Sequence, residues 1–578
     1  MLASPASPPG RPPALSRTHR LSRIARAARP GLRFDAWNLL TLGIAAIVAL
    51  PVLVVLAHIV MPTDGIWHHL ASTVLGRYLA NTLFLVITVG LGTFIIGTGT
   101  AWLVVMCRFP GRRLFEWALL LPLAVPTYVI AYAYTDFLQY AGPLQSWLRA
   151  AFDWGRDDYF FPNIRSLGGA AILITLVLYP YVYMLTRAAF LEQSVCVLDV
   201  GRTLGRGPWR LFSSIAIPLA RPAIVGGVSL ALMETLNEFG AVQYFGVDTF
   251  TTGIYRTWFG MGEQVAAAQL AACLLAFVIL LVLLERASRG KRRYFHTTGR
   301  YQRLPEFQLT GWRATAACLA CLTPVLVGFL IPGGLLGYLS IKGGDSLFGA
   351  RFLEFAGNSL VLAALAALVA VALALVLSYG ARLHPGPTTR TATRIAALGY
   401  AVPGSVVAVG ILIPFAWLDD QINGWLRAHY GVIAGLIFSG SAFILIYAYV
   451  VRFLAVSFNA LEASLGKVTP NMDAAARTLG QTASGTLRRV HTPIMRSSLL
   501  AAAILVFVDV MKELPATIIL RPFNFDTLAV RAHNLAADER LAEASTASLA
   551  IVAVGVIPVV LLSLAMRRAR PGGKDEHL

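Results

Sequence analysis

The sequence predicts an all-α polytopic membrane protein with about 12 transmembrane helices in two parallel six-helix repeats. Three observations carry this. Of the 578 residues, 57% are hydrophobic and 13% charged, against roughly 25% charged in soluble domains. The apolar residues fall in runs of about 20, the length a helix needs to cross a bilayer. Matching stretches also recur about 275 positions apart. Because the runs are continuously apolar and do not alternate with a period of two, they exclude lipid-facing barrel strands.

Taken in order, residues 1–37 are Pro-rich and basic, with no short apolar core before a small-residue cleavage site, so they read as a disordered cytoplasmic tail and not a signal peptide. The first half, 38–285, holds runs beginning near Asn38, Leu79, Phe115, Gly169, Pro222 and Val265. A basic linker, 286–312, follows. The second half, 313–568, holds runs beginning near Arg313, Gly357, Thr393, Gly431, Ser497 and Ser545, and 569–578 form a last tail. An even number of crossings puts both termini on one side of the membrane.

The net charge of +19 raises the question of a nucleic-acid partner, but its placement argues against one. Arg11, Arg17, Arg20, Arg23, Arg26, Arg29 and Arg33 precede the first run. The other clusters occupy every second connection: "CRFPGRR", "RTLGRGPWR", "ERASRGKRRYFHTTGRYQR", "SYGARLHPGPTTRTATR", "ARTLGQTASGTLRR" and "RRARPGG". Intervening connections carry Asp153, Asp157, Asp158, Asp248, Asp345, Asp419, Asp420, Asp538 and Glu539. That alternation is the positive-inside pattern and predicts that both termini and the linker face the cytoplasm. The five cysteines are too scattered for a disulfide framework, and the Cys318–Cys321 pair sits inside an apolar run, where small buried residues are the plainer reading.

The repeat is specific. "NTLFLVITVG" at Asn81 is answered by "NSLVLAALAA" at Asn358, and "PLAVPTYVIA" by "GYAVPGSVVA", with Pro126 answering to Pro403 at an offset of 277. "GRTLGRGPWRLFSSIAIPLAR" is answered by "ARTLGQTASGTLRRVHTPIMR" at an offset of 275, which pairs Gly205 with Gly480 and Pro218 with Pro493. Six crossings per repeat keep the halves in one orientation, so a path between them would run along the pseudo-symmetry axis.

Each half carries a cytoplasmic loop in which a small-residue helix ("LDVGRTLG", "MDAAARTLG") runs into a Gly, followed 13 residues later by a Pro. The Gly supplies the left-handed backbone that ends a short helix. The Pro is expected to start the next crossing, where no N–H is needed. The product is a short helix held off the membrane, a shape suited to another protein's groove.

At these residues the chain resembles the inner-membrane permeases of binding-protein-dependent ABC importers, and the loop resembles their "EAA" signature, which in that family inserts a coupling helix into the ATPase subunit. The resemblance covers essentially the whole chain after the tail, as in a fused double permease. It implies ATPase-coupling loops at Asp199, Gly205 and Pro218 and at Asp473, Gly480 and Pro493. The family's acid falls on Asp199 in the first copy but on Ala474 in the second, with Asp473 one place early, so unequal grips are expected. The resemblance implies a location in a bacterial inner membrane, with two copies of a cytoplasmic ATPase, a periplasmic binding protein and the lipid membrane as partners, and no nucleic acid. "ETLNEFGAVQYFGVDTFTTGIYRTWFGMG" and "FVDVMKELPATIILRPFNFDTLAVRA" further resemble the ferric-iron branch, with fused thiamine and phosphonate permeases as close relatives.

Four acids stand out within the apolar runs. Glu234 and Glu238 lie in "SLALMETLNEFGAVQYFG", Asp509 and Glu513 in "AILVFVDVMKELPATIIL"; 509 less 234 and 513 less 238 both give 275. A charge at the bilayer centre costs roughly 3 kcal/mol even on insertion scales, so such residues point to a substrate path. Members of each pair are four apart and share a helix face. If both faces line the interface between halves, their oxygens suit transient contact with a hard metal cation such as Fe³⁺. The structural alternative is that Lys512 or Arg521 neutralises one pair while Asn237 hydrogen-bonds the other. Pro515 breaks the helix just after Glu513.

No GxxxxGK[ST] occurs, and the Gly-Lys pairs at Gly290 and Gly466 continue with Arg and Val, so the chain is expected to bind no ATP or other cofactor and to act as a transport subunit, not an enzyme, with ATP used by its partner. The competing class is an ion-coupled secondary transporter driven through the same acids, which gives no reason for two matched turn-helix loops.

Overall fold

The computed structural model describes residues 36–63, 65–192, 203, 207–289, 306–344 and 349–568. Asp199 and Gly205, nearly all of the N-terminal tail, the linker residues 290–305 and the tail 569–578 therefore lie outside the described residues.

Among the described residues, eleven helices are long and apolar enough to cross a membrane, and a pair bent by 90° makes a twelfth. In the first half, α1 is Ala36–Ala57, α2 Ile66–Thr73 and α3 Leu75–Met106. The bent pair follows: α4 (Arg112–Ala118) with a 3₁₀ turn at Leu121–Ala124, then α5 (Thr127–Leu138) and α6 (Pro143–Phe152). The run expected near Phe115 is thus not one helix. Pro126 lacks a backbone N–H and keeps the chain extended at φ −61°, ψ 143°, so it ends the 3₁₀ turn and starts α5. α7 (Leu167–Glu192), α8 (Ile217–Asn237), α9 (Gly240–Tyr244), α10 (Phe250–Tyr255) and α11 (Gln264–Arg289) complete this half.

Phe307–Gln308 (β2) pairs in parallel with Cys107–Arg108 (β1), and Arg112 Nη1 meets Glu306 at 2.7 Å, which ties the end of the linker to the first half. The second half runs through α12 (Trp312–Val325), α13 (Ile331–Gly343), α14 (Ala350–Leu383), α15 (Pro387–Ala397), α16 (Gly404–Tyr430) and α17 (Ala442–Leu465). α18 (Pro470–Thr478), α19 (Ala483–Thr486), α20 (Thr492–Met511), α21 (Pro515–Leu520), α22 (Leu528–Ala537) and α23 (Leu541–Arg568) follow. Two expected starts shift. The crossing placed near Thr393 begins at Gly404, after Pro403. That placed near Gly431 begins at Ala442, because Gly431 takes a left-handed φ of 67° and caps α16. Asp419 then fixes the intervening loop by accepting the Phe438 and Ser439 N–H groups at 2.9 and 2.8 Å.

The repeat is visible in matched hydrogen bonds. Asn81 Nδ2 donates to the Asp248 carbonyl at 2.8 Å, and Asn358 Nδ2 to the Asp526 carbonyl at 3.1 Å. Thr249 and Thr527 then N-cap α10 and α22.

The first crossing of each half packs on the other half. α1 lies against α14, α15 and α16, with Asn38 accepting from Thr389 at 3.0 Å and the Ile47 carbonyl from Tyr447 at 2.6 Å. Reciprocally, α12 and α13 lie against α3, α4 and α5, where Tyr134 donates to the Val327 carbonyl at 2.5 Å.

Candidate functional site

The fifth crossing breaks at the same place in both halves. α8 stops at Asn237 and α9 begins at Gly240; α20 stops at Met511 and α21 begins at Pro515. A new helix start inside the membrane exposes N–H groups with no partner, and an acid two residues earlier supplies one. Glu238 Oε1 accepts the Ala241 N–H at 2.9 Å, and the matched Glu513 Oε1 accepts the Ala516 N–H, also at 2.9 Å. Pro515 opens α21 without wasting a donor.

The breaks bring all four acids to one cavity of about 100 Å³ at the seam between halves, lined by Glu234, Glu238, Asp509 and Glu513 together with Asn237, Arg452, Lys512, Tyr128, Tyr181 and Tyr400. Across the seam, Asn237 Oδ1 accepts the Gly404 N–H at 2.7 Å and the Tyr181 and Tyr400 hydroxyls stand 3.5 Å apart. Gly404 is required there, since a Cβ would sit 2.8 Å from Glu513 Oε1 and 3.1 Å from Arg452 Nη1.

The acids differ in their partners. Lys512 meets Asp509 at 3.0 Å. Arg521 pairs with Asp526 and leaves the cavity acids alone. Glu513 is held by Arg452 of α17 at 2.8 Å, with side chains 1% and 3% exposed. Arg452 was not singled out from the sequence, although an Arg within "YAYVVRFLAV" is as costly in lipid as the acids and carries the same signal. Among the described residues no three His, Cys, Asp or Glu side chains converge to hold a metal ion, so the four acids line a common space without forming a chelating set.

In the second loop α18 ends at Gly480, whose φ is +74°. The Gly480 N–H reaches the Arg477 carbonyl at 3.0 Å and the Gln481 N–H the Ala476 carbonyl at 3.0 Å, which satisfies the helix end. Asp473 faces inward: Arg382 of α14 meets its Oδ2 through Nε at 2.9 Å and Nη2 at 2.8 Å, and the buried His491 meets Oδ1 at 2.7 Å. Met472 on α18 and Leu479 just past its end stay exposed. The prolines do not start the crossings as expected. Pro218 and Pro493 are second in α8 and α20, each preceded by a π-helical turn, Phe212–Ala216 and Leu487–His491, that runs on from a further turn of helix. A wider turn makes room for a ring that would clash with the carbonyl four residues back.

A polytopic helical protein of two matched halves, with a charged cavity on their seam and a small turn-ended helix on the second-half loop, is built as a membrane permease. Residues 93–293 match the family described as the binding-protein-dependent transport system inner membrane component. The chain is 28% identical to the Fe(3+)-transport system permease protein FbpB 2 of Haemophilus influenzae, over 84% of this chain and 90% of that protein. It is 30% identical to the molybdenum transport system permease protein ModB of Escherichia coli, over 32% of this chain and 80% of that protein. It is 28% identical to the putative 2-aminoethylphosphonate transport system permease protein PhnU of Salmonella typhimurium, over 37% of this chain and 75% of that protein. The chain belongs to this family of inner-membrane transport components and is a multi-pass permease subunit.

Proposed function

We propose that this chain forms the membrane passage of a binding-protein-dependent importer for ferric iron. The observation that carries the reading is the seam cavity, a space on the boundary of the two halves that is lined by carboxylates; hard oxygen donors match a hard trivalent cation. Likeness along most of the chain to a permease named for Fe(3+) transport supports the same cargo. Energy comes from two copies of a separate ABC ATPase seated on the loops around Gly205 and Gly480, and cargo from a periplasmic binding protein. The chain itself holds no ATP. Both termini and the linker face the cytoplasm, with the Asp153–Asp158 connection outside.

The test is reconstitution of the chain with its co-purifying ATPase and binding protein in proteoliposomes, offering ferric iron, molybdate, thiamine or 2-aminoethylphosphonate. ATP-dependent uptake of iron alone is expected. Preference for another cargo overturns the iron reading, and ion-driven uptake by the isolated chain overturns the importer reading.

A further inference from the structure

We propose that the halves are unequal at the cavity: the first half's Glu234 and Glu238 meet the cargo, and the second half's Asp509 and Glu513 serve as wall. This rests on the ferric-iron reading above. A carboxylate offers about four lone-pair positions, and Glu513 spends them all. Oε1 takes Arg452 Nη1 at 2.8 Å and the Ala516 N–H at 2.9 Å, while Oε2 takes the Thr517 N–H at 3.0 Å and its hydroxyl at 2.5 Å. Lending an oxygen to a passing ion would strip a buried guanidinium and undo the start of α21. Asp509 is already matched by Lys512, in its own turn, at 3.0 Å.

The first half has neither cation. Asn237 stands where the second half has Lys512, and Met184, by the match of "YPYVYM" to "YAYVVR", where it has Arg452. Among the described residues neither Glu234 nor Glu238 forms an ion pair, though the Lys512 charge acts on Glu234 as well as on Asp509; Glu238 caps Ala241 through Oε1 and has the Thr127 hydroxyl as a further partner, both of them neutral. The first-half wall therefore carries two acids and no base, the second-half wall two acids and two bases. A cation in this space is drawn to the first wall, and near the second it meets Lys512 and Arg452 as closely as it meets acid. In a water-poor site that difference in sign acts with little screening. The near-symmetry of the sequence thus conceals a one-sided field.

The experiment scores ferric-iron uptake per permease molecule in the reconstituted complex, alongside abundance in the membrane. Glu234→Gln and Glu238→Gln keep shape, and Gln keeps the Oε1 acceptor that caps α9, so both are expected at normal abundance with uptake down by about tenfold or more. Glu513→Gln alone is expected to lose abundance, because it strands Arg452. Glu513→Gln with Arg452→Gln is expected to regain abundance and, with it, uptake per molecule. Wild-type uptake in the Glu234→Gln/Glu238→Gln double variant overturns the proposal; so does a well-folded Glu513→Gln/Arg452→Gln variant as inactive as Glu234→Gln. If the wild-type complex moves a different cargo, the iron reading falls alone, and the same variants scored on that cargo decide between equal and unequal halves.

Discussion

Replacing Asp473 with Ala should loosen α18 while leaving the membrane domain folded. The carboxylate gathers Arg382 through two nitrogens at 2.9 and 2.8 Å and His491 at 2.7 Å, with side-chain exposures of 17% for Asp473, 18% for Arg382 and 0% for His491. Hydrogen bonds to charged groups contribute about 1.5–3 kcal/mol each, and partial exposure lowers the sum. About 3 kcal/mol for the two partners is the working figure, which corresponds to roughly a hundredfold rise in local opening. Arg382 also donates to the Leu465 and Val468 carbonyls at 2.8 Å each, so the end of α17 should stay tied and the loosening be confined to α18. Hydrogen exchange on peptides covering 470–480 reads the opening, and ATP hydrolysis stimulated by loaded binding protein reads its consequence. Faster exchange in α18 with unchanged α17, and weakened stimulation at normal abundance, are expected. Unchanged protection of α18 would refute the view that Asp473 anchors the helix and return it to a contact made directly with the ATPase.

Two further outcomes are expected. Gly480→Val meets no neighbour within 4 Å but puts a β-branched residue at φ +74°, which costs about 1–3 kcal/mol; ATP hydrolysis should uncouple from transport while abundance holds, and coupled turnover at the wild-type rate would sink the loop assignment. Reporter fusions at Arg300 and Asp157 should give opposite signals for the two sides of the membrane, and matching signals would mean the number of crossings between them is wrong.

The parts of this fold that were legible in the sequence are those set by composition and local chemistry. Long apolar runs gave the crossings, the repeat paired Asn81 with Asn358, and Gly480 marked the end of α18. Where two elements had to meet, the sequence was silent. Nothing at their starts distinguishes the short α5 from the long α16, since both follow the same Val-Pro step, yet α5 stops at Leu138 and α16 runs on to Tyr430. Glu513 and Glu238 read as equals because their equality is local, in the caps they make; Arg452 is 61 positions away in the chain and becomes Glu513's partner only when α17 packs on α20. Pro218 and Pro493 were misplaced for a simpler reason. A proline inside a membrane helix is tolerated where the turn before it widens, and the sequence offers no sign of a π turn.

The exchange of first crossings sets a timetable for making the protein. α1 leaves the ribosome early, yet its seats on α14, α15 and α16 begin at Ala350, nearly three hundred residues after α1 ends at Ala57. At about 5–20 residues per second, α1 waits some 15–60 s for its partners. It is equipped to wait, because Ala36–Ala57 contains no charged side chain and can rest alone in lipid as a stable span. Maturation of the first half is therefore not finished when its own last helix is inserted; it closes only when the second half arrives to receive the arm it was sent at the start.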